Sequence, residues 1–126
     1  MAITLEISNH TRTRLPIVLL ENACKAALAS GRQGRAQVEL HLVGDARMRS
    51  FNREYLKHDY TTDVLSFDLG KTKDLGLVAM LVVCIPYARR EAKTRGLTLE
   101  EELVRYVIHG TLHLLGHDDH DEKDYK

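Results

Sequence analysis

The apolar positions change period along the chain, and the changes mark out its elements. Residues 2–7 alternate, with Ile3, Leu5 and Ile7 on one side, which predicts a half-buried strand. From Leu15-Pro16 onward the spacing turns helical through Ile17, Leu20, Cys24, Ala27 and Leu28. Thr13 is the expected cap of that helix, and Gly31 and Gly34 end it. Val38, Leu40 and Leu42 alternate again, a second strand before Gly44. Asp45 reads as the N-cap of a helix over roughly 46–56, burying Met48, Phe51 and Tyr55 and turning Arg49 and Arg53 outward, with Lys57 just beyond. Thr62 to Phe67 reads as a short strand, and Asp68 to Leu75 as a loop. Leu77 to Ile85 is almost wholly apolar, the mark of a strand covered on both faces. Pro86 opens a helix over Tyr87–Arg95, closed by Gly96. Thr98-Leu99-Glu100-Glu101 matches a capping box, and its helix runs to about Leu115, where Gly116 stops it. The tail after Gly116 is too polar to pack alone.

The resulting order, β-α-β-α-β-β-α-α, is meander-like and reads as an α+β fold with helices on a mixed sheet. The 126 residues amount to one domain, residues 1–126. Area scaling gives ~6,800 Å² exposed when folded against ~20,700 Å² for the open chain, so a real core forms without disulfides. The longest apolar run, Gly76 to Pro86, is far short of the ~20 residues a membrane span needs. The N-terminus has neither a basic start nor an apolar h-region, so no signal peptide is expected. Cys24 and Cys84 share no C-x-x-C and read as two small buried hydrophobes in a reduced, cytoplasmic protein.

Charge changes the picture slightly. The chain carries 18 basic and 18 acidic residues and is neutral overall, which excludes a globally basic nucleic-acid binder. Residues 1–60 hold 9 Lys/Arg against 6 Asp/Glu, and residues 61–126 hold 9 against 12. Such a split suits one face for a polyanion and another for a metal.

The candidate chemistry lies near the end of the last helix. His109 and His113 stand at i and i+4, so both imidazoles point the same way and can share one cation. Four of the seven histidines, His109, His113, His117 and His120, fall within twelve residues, where a random draw gives about 0.7. Asp118 and Asp119 add carboxylates. Gly116 lets the chain turn back and bring a third ligand, leaving a fourth position open for water, as in a catalytic zinc site. Asp119 and His120 both have a suitable donor, and spacing does not choose between them. A purely structural zinc site is four-coordinate and rich in cysteine, and no cysteine is near in sequence. A zinc protease of the H-E-x-x-H kind needs a glutamate after the first histidine, and here that residue is Gly110.

The run His109-Gly-Thr-Leu-His-Leu-Leu-Gly-His-Asp118 resembles the H-G-x-L-H-L-x-G-Y-D-H signature of the YbeY family of bacterial metal-dependent endoribonucleases. Upstream, Phe51-Asn52, Tyr55 and Thr62-Asp63-Val64-Leu65-Ser66-Phe67 resemble the family's L-N-x-x-[FY]-R…P-T-D-V-L-S-F block. Leu81 to Cys84, followed by Ala88 to Ala92, is a third, weaker match. The resemblance spans nearly the whole chain in order. It implies a mixed sheet of about four strands, helices around it, and one zinc ion in a cleft at the end of the last long helix. His109 and His113 fall on the first two family ligands. Asp119 holds the register of the third, with His120 as the fallback. Leu56 stands where the family has arginine, Thr61 where it has proline, and His117 where it has tyrosine.

The activity implied is cleavage of single-stranded RNA in ribosomal RNA maturation and ribosome quality control, with RNA and the ribosome as partners and no membrane or DNA expected. Zinc would activate a water and polarise a phosphoryl oxygen, or the water would serve only as a ligand while the ribose 2′-hydroxyl attacks. His109, His113 and Asp118 are the expected catalytic residues, with His117 or Asp118 moving a proton. Arg53, Lys57 and His58 form a basic strip along the RNA. Asp63 and Ser66 are candidates for orienting the histidines, or else a turn cap and a small packing residue. A second reading keeps the fold and the zinc in a ribosome-associated assembly factor with little nuclease activity.

Overall fold

A computed structural model describes residues 2–31, 35–56 and 63–116. Its elements are β1 (Ala2–Asn9), α1 (Ile17–Ser30), β2 (Arg35–Val43), α2 (Asp45–Leu56), β3 (Val64–Thr72), β4 (Gly76–Cys84), α3 (Ile85–Arg95) and α4 (Leu99–Leu114). The α+β reading and the element order hold. The spatial order does not follow the chain: the sheet runs β1-β2-β4-β3. β1, β2 and β4 are parallel, and β3 runs antiparallel along the edge of β4. The connections explain this. Each parallel pair is bridged by a helix-containing crossover, whereas β3 and β4 are joined by a tight turn that permits only an antiparallel pair.

Strand alternation sorts the side chains into two cores. On one face Leu40, Leu42, Leu81 and Val83 meet Leu20, Cys24 and Leu28 of α1 and Leu103 and Val107 of α4. On the other, Val43, Leu65, Val82 and Cys84 meet Met48 of α2, with Phe51, Phe67 and Met80 alongside. β4 supplies both cores, which is why its sequence is apolar throughout.

Four expectations are corrected. Thr13 does not cap α1. The N-cap position is Pro16, without a side-chain cap, and Asn9 instead ties down the preceding loop through Thr11 and the Thr13 carbonyl. The ring of Pro16 holds the residue before it out of the helical region, so α1 starts later. Asp45 is the first residue of α2, not its cap. Its carboxylate turns sideways to Arg90 of α3 at 3.2 and 3.3 Å and to the Cys84 thiol at 3.4 Å. Tyr55 is 56% exposed, and Asn52 takes the inward place at 1%. The Tyr55 ring lies over Phe51 and Phe67 instead. Finally, residues 68–72 belong to β3. That end of an edge strand is solvated on both faces, so no apolar alternation marks it.

Among the described residues, no helix is long and apolar enough to cross a membrane.

Candidate active site

The site is built on α4, and α4 is well anchored. Thr98 Oγ1 accepts the Glu101 N–H at 3.0 Å, and the Glu101 carboxylate accepts the Thr98 N–H at 2.8 Å, so the expected capping box is present. Three glutamates in the first turn suit the positive end of the helix dipole. Further along, Thr111 donates to the Val107 carbonyl and meets the Cys24 thiol of α1. Burial pushes the Cys24 thiol upward, so it stays protonated and acts as packing. Cys84, pushed up to about 12 by burial, does the same. Both cysteines are free and buried, as their sequence context suggests.

Gly110 brings α4 down onto the sheet. A Cβ there would lie 2.9 Å from Leu81 Cδ2, 3.1 Å from Ser66 Oγ and 3.2 Å from Val64 Cγ2. Only a residue without a side chain lets the helix approach this closely. Ser66 Oγ donates to the Gly110 carbonyl at 3.1 Å and fastens the contact. Ser66 therefore secures the helix that carries the histidines through its backbone, which is a different task from orienting an imidazole.

His109 and His113 flank Gly110 on the helix, one turn apart, and both are exposed. The helix ends just beyond at Leu115, and Gly116 takes φ 92°, the left-handed turn expected of it. Two imidazoles on successive turns of a rigid helix fit one divalent cation as two of its ligands. No group of three such side chains occurs among the described residues. Asp118, Asp119, His120 and His117 lie outside the described residues, as do Lys57 and His58. Leu56 is the last residue of α2, and its side chain is likewise outside them. Arg53 is exposed on the final turn of α2.

A cleft of about 180 Å³ opens beside His109, lined by Asp63, Arg105, Tyr106 and His109. Asp63 precedes β3. Its carboxylate accepts the Val64 N–H at 2.7 Å and its carbonyl accepts the Cys84 N–H at 2.9 Å. It is a turn residue, as one of its two readings has it, and also a wall of the cleft. Val64 pairs with Val83 near the carboxyl end of β4, so the cleft opens at the end where parallel strands place binding sites in open sheets.

The remaining walls come from the face of α4 that leads to His109. Glu102 is fully buried there. Its carboxylate accepts Arg105 Nε at 3.1 Å, with Arg95 Nε of α3 at 3.4 Å. Burial, then the neighbouring Glu102 carboxylate, push the Tyr106 phenol well above its usual range, which keeps it a neutral donor. Sequence reasoning missed Glu102, Arg105 and Tyr106. Glu102 falls in the acidic first turn of α4, where a carboxylate needs no further explanation. Yet the spacings 102, 105/106 and 109 were a readable signal, because they put these residues on the face that His109 occupies.

Comparison with known proteins adds a family context. A model of the family described as Endoribonuclease YbeY matches residues 6–126. An Endoribonuclease YbeY of Xylella fastidiosa is 36% identical over 121 residues, covering 90% of this chain and 75% of its own. One from Desulfitobacterium hafniense is 36% identical over 127 residues, covering 94% and 81%. A solution structure of a Thermotoga maritima protein superposes with a TM-score of 0.62 at 28% identity, covering 90% of this chain and 73% of the other.

Proposed function

The chain belongs to the YbeY endoribonuclease family, and from that premise we propose that it is a zinc-dependent endoribonuclease of the cytoplasm, cutting single-stranded RNA in ribosomal RNA maturation and ribosome quality control. The observation that carries this reading is the pair His109 and His113, exposed on consecutive turns of α4 beside a cleft that also holds a carboxylate and a guanidinium.

His109 and His113 would hold one zinc ion, with Asp119, or failing that His120, as third ligand. When bound, zinc supplies a lowered pKa for a coordinated water and polarisation of a phosphoryl oxygen. The chain's own residues do the rest. Gly110 and Ser66 fix the height of the helix over the sheet, and so the place of both imidazoles. The neutral Tyr106 phenol lines the cleft without bringing negative charge to it. Arg53, Lys57 and His58 follow the strand backbone through their positive charge. Asp118 or His117 moves the proton that cleavage requires.

The test is cleavage of an end-labelled single-stranded RNA by the purified protein and by His113→Ala. Losing a ligand is expected to lower cleavage at least about 100-fold, and a chelator should abolish it in the wild type. Unimpaired cleavage by His113→Ala would contradict the assignment. A wild type that binds zinc but cuts no RNA would contradict the enzyme reading and favour the assembly factor.

A further inference from the structure

We propose that Arg105 grips the RNA phosphate in the cleft, and that buried Glu102 is the positioning residue that aims it. The inference rests on the nuclease reading above and assigns a further residue to the same site.

Three observations lead to it. The first is place. Arg105 lines the cleft with His109, one helical turn away on the same element. Among the described residues, it is the one cation lining that cleft.

The second is anchoring. An arginine side chain has many rotamers, and most exposed arginines lose that freedom only when they bind. Here the Nε edge is already held, 3.1 Å from an oxygen of a carboxylate that is fully buried. The hydrogen bond to Glu102 runs through Nε, and among the described residues the structure gives the guanidinium no other. The fork of terminal N–H groups therefore remains for a second oxyanion, in the planar geometry that matches two phosphate oxygens.

The third is charge. Glu102 lies between two arginines, with Arg95 Nε 3.4 Å from Oε2, and that oxygen has no hydrogen bond among the described residues. A buried carboxylate with one incompletely satisfied oxygen is expensive unless its cations are held in place. Arg95 is shared with Glu91, 3.7 Å from its Nε, so the charges around Glu102 balance and the Arg105 fork is the positive group that faces the cleft. Asp63 opposes it from the β3 side, so the cleft is no general anion trap. It takes a phosphate where the arginine fork reaches.

The simpler account is a helical i,i+3 ion pair on the surface, and the two accounts predict different behaviour. The probe is a labelled single-stranded 2′-O-methyl oligoribonucleotide, checked to be intact after each measurement. Its affinity for the metal-loaded full chain is followed by anisotropy over a salt series, and cleavage of unmodified RNA is measured in parallel. Each phosphate contact contributes about 0.7 to the slope of log affinity against log salt for a single strand. Arg105→Gln should reduce that slope by about 0.7 and lower kcat/KM about 10- to 100-fold. Glu102→Gln should keep the slope, since the arginine charge remains, but raise KM several-fold. Lys73→Gln, in the turn at the far end of β3, should match the wild type.

A folded Arg105→Gln with wild-type slope and cleavage would overturn the proposal. Should that variant fail to fold, Arg105→Lys carries the test: it keeps the charge and slope and should lose about 10-fold in cleavage with the fork, whereas full activity would overturn the proposal. A wild type that neither binds nor cuts RNA would overturn the nuclease reading, and this inference with it.

Discussion

The position that most constrains the site is one without a side chain. At Gly110, two effects of a substitution compete. Alanine gains about 1 kcal/mol of helix propensity over glycine. Its Cβ, however, would sit 2.9 Å from a methyl of Leu81, which is fully buried and has little room to retreat. Overpacking of this kind costs about 1–3 kcal/mol, so Gly110→Ala should be neutral to destabilising by about 2 kcal/mol. Gly110→Val gains less helix propensity than alanine does and adds two methyls to the contact, so it should lose about 3 kcal/mol in urea unfolding. Both should lower cleavage more than stability alone explains, because α4 must rise off Ser66 and carry the histidines with it. A stable Gly110→Val with full activity would remove the close approach from the account. At this scale the sequence was informative about residue types and mute about contacts. The His109/His113 pair was legible from spacing alone. The role of Gly110 was not, since nothing local announces that residue 66 lies beneath residue 110.

Among the elements, α2 and α3 are tied by Asp45, the first residue of α2, and Arg90, midway along α3. The Arg90 guanidinium holds the Asp45 carboxyl below its usual range, against an opposing effect of burial. The folded-state pKa is depressed, so the stabilisation is present above the unfolded carboxylate pKa, about 4, and is lost as pH falls through the lower folded value. Both side chains are about half exposed, so solvent screening limits the effect to a few tenths of a kcal/mol. Asp45→Asn should therefore unfold at slightly lower urea than the wild type at pH 7, and the difference should shrink as pH falls below about 4. A gap that does not narrow on acidification would show the charge is not responsible.

The same carboxylate explains an error in the sequence reading. An aspartate before a helical pattern looks like a cap, and only the fold reveals that an arginine 45 residues away competes for it. Thr98 was read correctly because its partner, Glu101, is local. The extent of β3 was missed for a related reason. Edge strands carry polar residues on both sides, and their pairing partner is the signal that the linear pattern lacks.

Over the whole molecule, the arrangement of strands decides where chemistry sits. The parallel strands β1, β2 and β4 end together, and β3 begins beside the end of β4. Asp63 is fixed there by the Cys84 N–H, and α4 lies across the same region through Gly110. The cleft is therefore a consequence of topology. The α+β class was legible because each period change in the sequence marks one element. The insertion of β4 between β2 and β3 was not, because pairing between strands distant in sequence leaves no periodic trace.

On the function proposed above, His109 and His113 hold a zinc ion on which RNA cleavage depends. The most direct measurement strips the protein of metal, returns zinc in steps, and records bound zinc and cleavage rate on the same samples. Cleavage should rise in proportion to bound zinc, saturate at one ion per chain, and stay at baseline in His109→Ala and His113→Ala. Full cleavage by the stripped protein, or saturation with zinc and no cleavage, would contradict it.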